Sequence, residues 1–475
     1  MDLDELDELD PVEEIDLSTQ EREYGIIIYG ATGYTGSLMV EHLDALVARP
    51  GAKPLKWAIA GRDLTKLRRI ARRCKTAPGV IMVREPVHMA QMVAQARVVA
   101  AAAGPYTLCG EDVIAQCINQ VTHYIDVSGE VSWISKMIAK YHDRAKERGV
   151  MIVHAAGAIA APDELLSYEL VKKLGPLKQY REYFMQYGAM SGGTFNTSIA
   201  SLESMTEEDF VVSRDPFALG GLRECGMRDV DGDLLQTAPD TLYPSLWQTP
   251  AYNTGTGSRI IRRTCQLFEE MPSLGVEYGK EISVVIRDLA SNQRSAEQIV
   301  FGALPLPNVD VSSESARQMK MSRDRGEQPK PGDGAPPQTR SIYFSEVYGV
   351  AESEGGEWAY AHYTSGEAYE VTAMASITGA MVMVEELDLV RPKERAGVIT
   401  PAYAFHGSTW KERLTECRFA CGENTCQISI EVKDGKPDVE EVSKAMKEKT
   451  KRAMMGQAQI MKGELKNWSQ PALTM

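Results

Sequence analysis

Short apolar runs alternate with amphipathic helical segments from Tyr24 to Val153. The first run, Ile26 to Ile28, is β-branched and unbroken, as expected of a strand that is buried on both faces of a parallel sheet. Further strands are predicted over Leu55–Ala60, Val80–Val83, Val98–Ala103, Thr122–Val127 and Val150–Val153. Strands that alternate with helices in this way predict an α/β domain built on a doubly wound parallel sheet with right-handed crossovers.

The pattern changes from about residue 165, where a second domain of the α+β class is predicted. Tyr180–Tyr187 alternates polar and apolar side chains, as a half-exposed strand of a largely antiparallel sheet does. Residues 311–340 are rich in Ser, Lys, Pro and Gly, which is typical of a mobile loop. Additional strands are predicted over Glu281–Arg287, Ser341–Val350 and Trp358–Tyr363, and helices over Ser198–Met205 and Ala373–Leu389.

These patterns predict four segments along the chain. Residues 1–22 form an acidic tail that is either disordered or an acidic docking peptide. Residues 23–164 form the first domain, and residues 165–432 form a substrate and dimerisation domain that can close back on the first. Residues 433–475 mix a lysine-rich helix with a polar end and are expected to be peripheral.

A glycine-rich loop follows the first predicted strand. Gly30, Gly33 and Gly36 recur at every third position, and a helical pattern begins directly after them. Such glycines permit a tight turn, a close approach of the backbone to a pyrophosphate and close packing of the helix on the sheet. The N-terminus of that helix would present free N–H groups to the phosphates. The order of strand, loop and helix indicates a dinucleotide site, the alternative being a structural turn. Its candidate contacts are Gly30, Thr32, Gly33, Tyr34, Thr35 and Gly36.

The end of the second predicted strand indicates which nicotinamide cofactor fits. An acidic residue there usually binds the ribose hydroxyls of NAD, whereas a basic one accommodates the 2′-phosphate of NADP. Arg62 follows the strand and Lys66 lies about one helical turn further on. A guanidinium can bind a phosphate with two hydrogen bonds and stack on adenine. Because Asp63 suits the N-cap of the next helix, the sequence favours NADP(H) as the cofactor.

Three other loops carry candidate site residues. Gly104 and Pro105 follow the fourth strand, where they could line the ribose beside the nicotinamide, and Tyr106 is either a proton donor or a packing residue. The carboxylate of Asp126, after the fifth strand, either orients a ribose or substrate or caps the next helix. Ser191–Thr194, Ser-Gly-Gly-Thr, either holds an anionic group or makes a turn.

Composition narrows the class of protein. The formal net charge of −14 argues against a nucleic-acid-binding protein or one held to anionic lipid. No run approaches the roughly 18 apolar residues of a spanning helix, and the chain does not start like a secretory signal. The eight cysteines show neither a disulfide framework nor the spacing of a common zinc site. We therefore expect a cytoplasmic protein with reduced thiols and no bound metal.

Together these motifs resemble the saccharopine dehydrogenase-like oxidoreductases, and more narrowly the branch that contains trans-acting enoyl reductases of polyketide and lipid biosynthesis. The resemblance runs from about residue 24 to about residue 415. It implies an N-terminal Rossmann domain that binds NAD(P)H and a C-terminal domain of the catalytic type. The matching segments are Gly30–Gly36, Ala60–Arg62, Gly104–Tyr106, Tyr124–Glu130, Ser191–Thr194, Ser213–Pro216, Arg262–Arg263 and Gly397–Ala402.

One segment departs from the pattern of that family. After the sixth strand the family usually continues Gly-Phe-Asp-Ser-(Val/Ile)-Pro-Ser-Asp, whereas residues 157–164 read Gly-Ala-Ile-Ala-Ala-Pro-Asp-Glu. Ile159 stands in place of the first acid, which removes a charge and a hydrogen-bond acceptor and adds apolar bulk. Either the substrate is different and more apolar, or the hydride chemistry has weakened while cofactor binding survives.

The resemblance implies an enoyl reductase that uses NADPH to reduce a conjugated C=C of a polyketide or acyl intermediate. Its partners would be a small-molecule or carrier-bound substrate, with a polyketide synthase or an acyl carrier protein, and the chain could form a homodimer. A second hypothesis is a saccharopine dehydrogenase-like reductase of C=N or C=O bonds. A third is a non-redox protein with structural or regulatory NADP(H), an alternative that Ile159 keeps open.

Overall fold

The computed structural model describes residues 21–224, 226–303, 306–422, 424–466 and 468. The acidic tail expected over residues 1–22 lies almost entirely outside the described residues. The described chain builds a seven-stranded sheet, a six-stranded sheet and a small two-stranded ribbon.

The seven-stranded sheet is parallel throughout. Its strands are β1 (Tyr24–Tyr29), β2 (Trp57–Gly61), β3 (Gly79–Met82), β4 (Ala96–Ala101), β5 (His123–Asp126), β6 (Met151–Val153) and β12 (Gly397–Ile399). They lie in the order β12-β6-β5-β4-β1-β2-β3. The strand order reverses between β1 and β4, which is where a doubly wound sheet binds its ligands. The predicted doubly wound parallel sheet is confirmed.

Helices cover both faces of this sheet, because its strands are apolar on both sides. Ile26 and Ile28 point into one core cluster and Ile27 into another, and all three are fully buried. The helices that follow β1 to β6 are α1 (Tyr34–Val47), α2 (Leu64–Ala71), α3 (Pro86–Ala94), α4 (Tyr106–Asn119), α5 (Val131–Glu147) and α6 (Ala161–Leu174).

The seventh strand comes from a distant part of the chain. β12 pairs with β6 through Val398 and Ile152. Ahead of it, α13 (Ala368–Glu385) packs beside α1 and against β4 and β5. A strand of three residues is too short to show a hydrophobic period, so the sequence pattern did not predict it.

The six-stranded sheet is mostly antiparallel, as predicted for the second domain. Only the pairing of β7 with β9 is parallel. Its strands, in the order β15-β11-β10-β7-β9-β8, are β7 (Leu177–Tyr187), β8 (Trp247–Pro250), β9 (Ser283–Ala290), β10 (Phe344–Ser353), β11 (Trp358–Ser365) and β15 (Ile428–Asp434). The ribbon pairs β13 (Phe419–Cys421) with β14 (Asn424–Cys426).

Two segments are more ordered than the sequence suggested. Residues 309–324 form a helix inside the expected mobile loop 311–340, because Asn308 caps it and Ser312 and Ala316 are buried. The last long helix was expected to be peripheral, yet its Val442 and Met446 are buried in a core cluster on the six-stranded sheet.

The remaining helices are α7 (Gly192–Ser204), α8 (Glu207–Arg214), α9 (Thr254–Glu269), α10 (Gln293–Ala303), α11 (Val309–Asp324), α12 (Pro337–Arg340), α14 (Leu387–Val390), α15 (Pro392–Arg395), α16 (Pro401–Ala404), α17 (Trp410–Glu416) and α18 (Val439–Met461).

The two large sheets share a hydrophobic core. Ile28 of β1, Phe184 of β7 and Ile286 of β9 belong to one cluster of buried side chains. Within the described part of the chain, no helix combines the length and the apolar character needed to cross a bilayer.

Candidate functional site

A cavity of ≈1410 Å³ opens where the carboxyl ends of the parallel strands face the six-stranded sheet. The loops after β1, β2, β4, β5 and β6 form one wall, and α7 with the start of α13 forms the other. Most of the residues predicted to bind the cofactor line it: Gly30, Thr32, Gly33, Tyr34, Thr35, Arg62, Lys66, Gly104 and Pro105. The structure therefore brings these predicted residues to one surface.

The glycine loop has the shape of a phosphate cradle. Gly30 has a φ of +88°, a conformation that favours glycine. A Cβ on Gly36 would lie 2.2 Å from the Gly30 carbonyl oxygen, so only glycine lets α1 start this close to the loop. Gly33 is the N-cap of α1 and offers no side chain to the first turn of that helix. The N–H groups of this turn therefore suit a phosphate group at the cavity wall.

Positive charge lies where the sequence predicted it. Arg62 and Lys66 both line the cavity beyond β2. Asp63 caps α2 by accepting a hydrogen bond from the backbone N–H of Lys66 at 3.0 Å. The carboxylate of Asp63 is thus engaged with the helix, while the two cations border the space beside the glycine loop.

The hydroxyl of Tyr106 is engaged within the cavity wall. It donates a hydrogen bond to the carbonyl oxygen of Ala101 at 2.9 Å, and the ring packs beside Trp133 at a centroid distance of 5.4 Å. The side chain is 6% exposed, and burial raises the pKa of the phenol well above its ordinary value. Proton donation by Tyr106 would first require its bond to Ala101 to break.

Asp126 lies beneath the cavity rather than on its surface. One carboxylate oxygen pairs with Nδ1 of His154 at 2.8 Å, and the other accepts hydrogen bonds from Ser128 and from the backbone N–H of Ala155. Burial alone would raise the pKa of Asp126, but His154 and these hydrogen bonds bring it below its usual value. Asp126 therefore ties the loops after β5 and β6 together.

The segment that departs from the family pattern contributes an apolar surface. Ile159 lines the cavity and packs against Gly129, where an added Cβ would lie 3.2 Å from its Cγ1. The acids that follow it point away into the protein interior. Glu164 accepts hydrogen bonds from the hydroxyl of Thr264 and the backbone N–H of Ala402.

Sequence reasoning singled out Thr194 but missed the row of hydroxyls that continues from it along α7. They recur at the i, i+3, i+4 and i+7 spacing of one helix face, a pattern that could have been found once the helix was placed. The Oγ of Ser201 is buried without a hydrogen-bond partner. The members that line the cavity are Thr194, Thr197, Ser198 and Ser201, with Leu202 and Met205 completing the face.

The charged groups at this end of the cavity are already held by the protein. Glu130 accepts hydrogen bonds from the backbone and hydroxyl of Thr107, and Lys449 is paired with Asp288. Glu367 accepts two backbone N–H groups at the start of α13, and burial raises its pKa to about 8. Around α7 and the start of α13, the described cavity wall therefore offers mainly hydroxyl and apolar groups.

Comparison with known proteins gives this geometry a family context. Residues 26–153 match the family model described as the saccharopine dehydrogenase NADP binding domain. A trans-acting enoyl reductase of Mycobacterium tuberculosis is 27% identical over 418 residues, which are 82% of this chain and 95% of the relative. A saccharopine dehydrogenase-like oxidoreductase of Bos taurus is 35% identical over 165 residues, covering 31% of this chain and 38% of the relative.

Solved structures show weaker likeness. Apo saccharopine dehydrogenase (L-Glu forming) of Saccharomyces cerevisiae gives a TM-score of 0.44 at 10% identity, covering 86% of this chain and 99% of the other. GenD2 from gentamicin A biosynthesis, in complex with NAD, gives 0.26 at 22% identity and covers 36% and 46%. The predicted family resemblance is confirmed by the family model and the curated relatives. This chain is an NAD(P)-dependent oxidoreductase that resembles the saccharopine dehydrogenase-like enzymes and carries their NADP-binding domain over residues 26–153.

Proposed function

We propose that this oxidoreductase uses NADPH to reduce a conjugated C=C bond in an uncharged acyl or polyketide intermediate. The observation that supports it is the part of the cavity wall around α7, where hydroxyl and apolar groups predominate. Ile159, Met190 and Phe184 supply apolar surface there, and α7 supplies hydroxyls. An acyl chain can bury its methylene groups against such a wall without leaving charged groups unpaired.

The residues present fit NADPH at the other end of the cavity. The glycine loop and the first turn of α1 would hold the pyrophosphate, and Arg62 with Lys66 would hold the 2′-phosphate. The loop at Gly104 and Pro105 would hold the nicotinamide end of the cofactor, in the cavity that Ile159 also lines. When bound, the cofactor supplies the hydride for the reduction.

The protein would contribute orientation and polarity. The hydroxyls of Thr197 and Ser198 can donate hydrogen bonds to a substrate carbonyl, which withdraws electrons from the neighbouring double bond. Ile159 and Phe184 exclude water from that region. These roles need neutral donors and an apolar wall, and both are present.

The named relatives support a substrate that is delivered by another protein. Several are called trans-acting enoyl reductases, and their alignments cover most of both chains. We infer that the acyl group reaches this cavity bound to a carrier protein or a polyketide synthase. The protein would then act in secondary metabolism or lipid biosynthesis.

The alternative is reduction of a C=N or C=O bond in an amino-acid substrate. Such substrates carry carboxylates, which bind best to arginine or lysine. At the substrate end of the described cavity wall the cation is Lys449, which is paired with Asp288. The cavity therefore favours the uncharged enoyl substrate.

The test is to follow NADPH absorbance with matched substrates that share one acyl chain. An α,β-unsaturated thioester is compared with the corresponding β-keto thioester, and an amino-acid-derived imine is the third substrate. We expect NADPH consumption with the enoyl thioester and a saturated product by mass spectrometry. Turnover of the imine or ketone alone would overturn the enoyl assignment, and NADPH binding without turnover of any substrate would favour a non-redox role.

A further inference from the structure

Three polar groups meet at the point where α7 and α13 both begin. The hydroxyl oxygen of Tyr369 accepts the backbone N–H of Ser191 at 2.8 Å and lies 2.7 Å from Oγ1 of Thr194. Ser191 caps α7, and its Oγ already accepts the backbone N–H of Thr194. All three residues line the cavity. The tyrosine oxygen is thus held in place by two neighbours on α7.

Either hydroxyl of the Thr194–Tyr369 pair can be the donor, and one of the two arrangements leaves the tyrosine proton for a third partner. A phenol oxygen donates one hydrogen bond and can accept two. When the Thr194 hydroxyl donates to it, the oxygen of Tyr369 accepts from both Thr194 and Ser191, and its own O–H is left for the cavity side. Two accepted hydrogen bonds also stabilise the phenolate that remains after the proton leaves.

The next turns of α13 and α7 contact the loops around the expected reaction centre. One turn along α13, the hydroxyl of Thr372 accepts the backbone N–H of Ala158, in the loop after β6. One turn along α7, Oγ1 of Thr197 would lie 3.2 Å from a Cβ added at Gly104, in the loop after β4. Loops at these strand ends face the ligand in a doubly wound sheet. The two helices that carry Tyr369 and Thr194 therefore contact the two loops that would flank the nicotinamide.

We propose that Tyr369 is the proton donor of the reduction, with Ser191 and Thr194 holding its oxygen as positioning residues. The proposal rests on the proposed function, since it requires a double bond to be reduced in this cavity. Burial raises the pKa of Tyr369, while the hydrogen bonds from Ser191 and Thr194 oppose that rise. The group is therefore protonated at neutral pH and ready to act as an acid.

The step balances with one proton and one hydride. Hydride supplied by the bound cofactor would add to the β-carbon of the substrate and leave an electron pair on its enolate. The O–H bond of Tyr369 breaks and a C–H bond forms at the α-carbon from that pair. The phenolate is held by Ser191 and Thr194 until water in the cavity returns a proton.

The first test needs neither cofactor nor substrate. Fluorotyrosine is placed at position 369 of the full chain, and its ionisation is followed by fluorine NMR with and without Thr194→Val. We expect Thr194→Val to raise the pKa of this phenol, because one hydrogen bond to the phenolate is lost. Fluorotyrosine at Tyr360, which packs against α18 and does not line the cavity, should titrate identically in both backgrounds. An unchanged titration at position 369 would overturn the role of Thr194.

The second test measures the reaction. We expect Tyr369→Phe to lower kcat by about 100-fold or more with an enoyl thioester, as loss of a general acid does, while the Kd for NADPH stays within about twofold. Tyr360→Phe is the matched control and should keep the wild-type kcat. Wild-type kcat in Tyr369→Phe would overturn the donor role alone. A wild-type protein inactive on every enoyl thioester would overturn the proposed function, and the donor role with it.

Discussion

At the scale of single residues, the preference for one cofactor depends on which charges remain available to a ligand. Arg62 and Lys66 line the cavity, whereas the carboxylate of Asp63 accepts the N–H of Lys66 as a helix cap. The second oxygen of Asp63 lies 4.0 Å from Nζ of Lys66, so this acid is engaged with both the helix and that ammonium group. The local geometry therefore agrees with the choice of NADP(H) over NAD(H).

Arg62→Ala should weaken NADPH binding far more than NADH binding. A hydrogen-bonded ion pair with a phosphate contributes roughly 1.5–3 kcal/mol, so the Kd for NADPH should rise about ten- to a hundredfold. The Kd for NADH should change by less than about twofold, since NADH has no 2′-phosphate. Fluorescence titration of both nucleotides measures the two effects. Arg68→Ala, on the helix α2 that follows Arg62, is the control, because Arg68 does not line the cavity.

Equal weakening of NADPH and NADH binding by Arg62→Ala would contradict this assignment. It would mean that Arg62 contacts a part that both nucleotides share, such as the adenine ring.

At the scale of elements, the start of α1 depends on close approach between helix and loop. Gly36 has no Cβ, and the Gly30 carbonyl oxygen occupies the space where one would be. The position of α1 therefore depends on glycine at residue 36, since a larger residue there would push the helix away from the glycine loop. The N–H groups of the first turn would then no longer converge on one phosphate.

Gly36→Ala should therefore impair nucleotide binding by moving α1 away from the glycine loop. The added Cβ would lie 2.2 Å from a backbone oxygen, which cannot be relieved by rotating a side chain. We expect more than about a tenfold rise in the Kd for NADPH and a lower melting temperature, as overpacking costs about 1–3 kcal/mol. Gly255→Ala, in the first turn of α9, has no atom within 4 Å of its new Cβ and should retain both properties. Unchanged NADPH affinity in Gly36→Ala would show that the loop does not bind the pyrophosphate.

At the scale of the whole molecule, buried acids join α6, the helix that follows the parallel sheet, to β7 of the six-stranded sheet. Asp163 on α6 accepts two hydrogen bonds from the side-chain amide of Asn253, which also lies 3.5 Å from Glu182 on β7. Glu182 accepts the hydroxyl of Tyr180 at 2.7 Å. Burial raises the pKa of both acids, that of Glu182 to about 7, and the charge of Glu182 raises that of Asp163 further. The pair is therefore stable when it carries at least one proton.

The sign of the pH effect follows from these shifts. The unfolded chain releases the proton of Glu182 near pH 4.5, whereas the folded chain holds it to about pH 7. Folding stability from this group is complete below the unfolded pKa and is lost as the pH rises towards the folded pKa.

Glu182→Gln should remove much of this dependence. We expect the variant to gain stability relative to the wild type as the pH rises from about 5 to about 7.5. Urea unfolding at several pH values measures the difference. Glu147→Gln, at the exposed end of α5, should follow the wild type. A difference between Glu182→Gln and the wild type that does not change with pH would show that Glu182 is already ionised in the folded protein.

The local patterns of the sequence determined the first sheet, the glycine loop and the cations after β2. Each of these follows from neighbouring residues, because strand burial, turn geometry and helix capping act over a few positions. Because these effects act between neighbouring residues, the fold class could be predicted from the sequence, whereas β12 and α11 were not predicted. A strand of three residues has no period, and α11 is stabilised by buried contacts that its polar sequence does not reveal.

Only the tertiary structure decided the chemistry of the substrate end. Tyr106 and Asp126 are adjacent to predicted ligand loops, yet the fold turns their polar atoms to Ala101 and to His154. Conversely, Tyr369 and Thr194 are 175 positions apart, and their hydroxyls meet only because α13 and α7 begin at the same wall. Sequence alone shows which groups are available, but the directions and partners of those groups depend on contacts between distant segments.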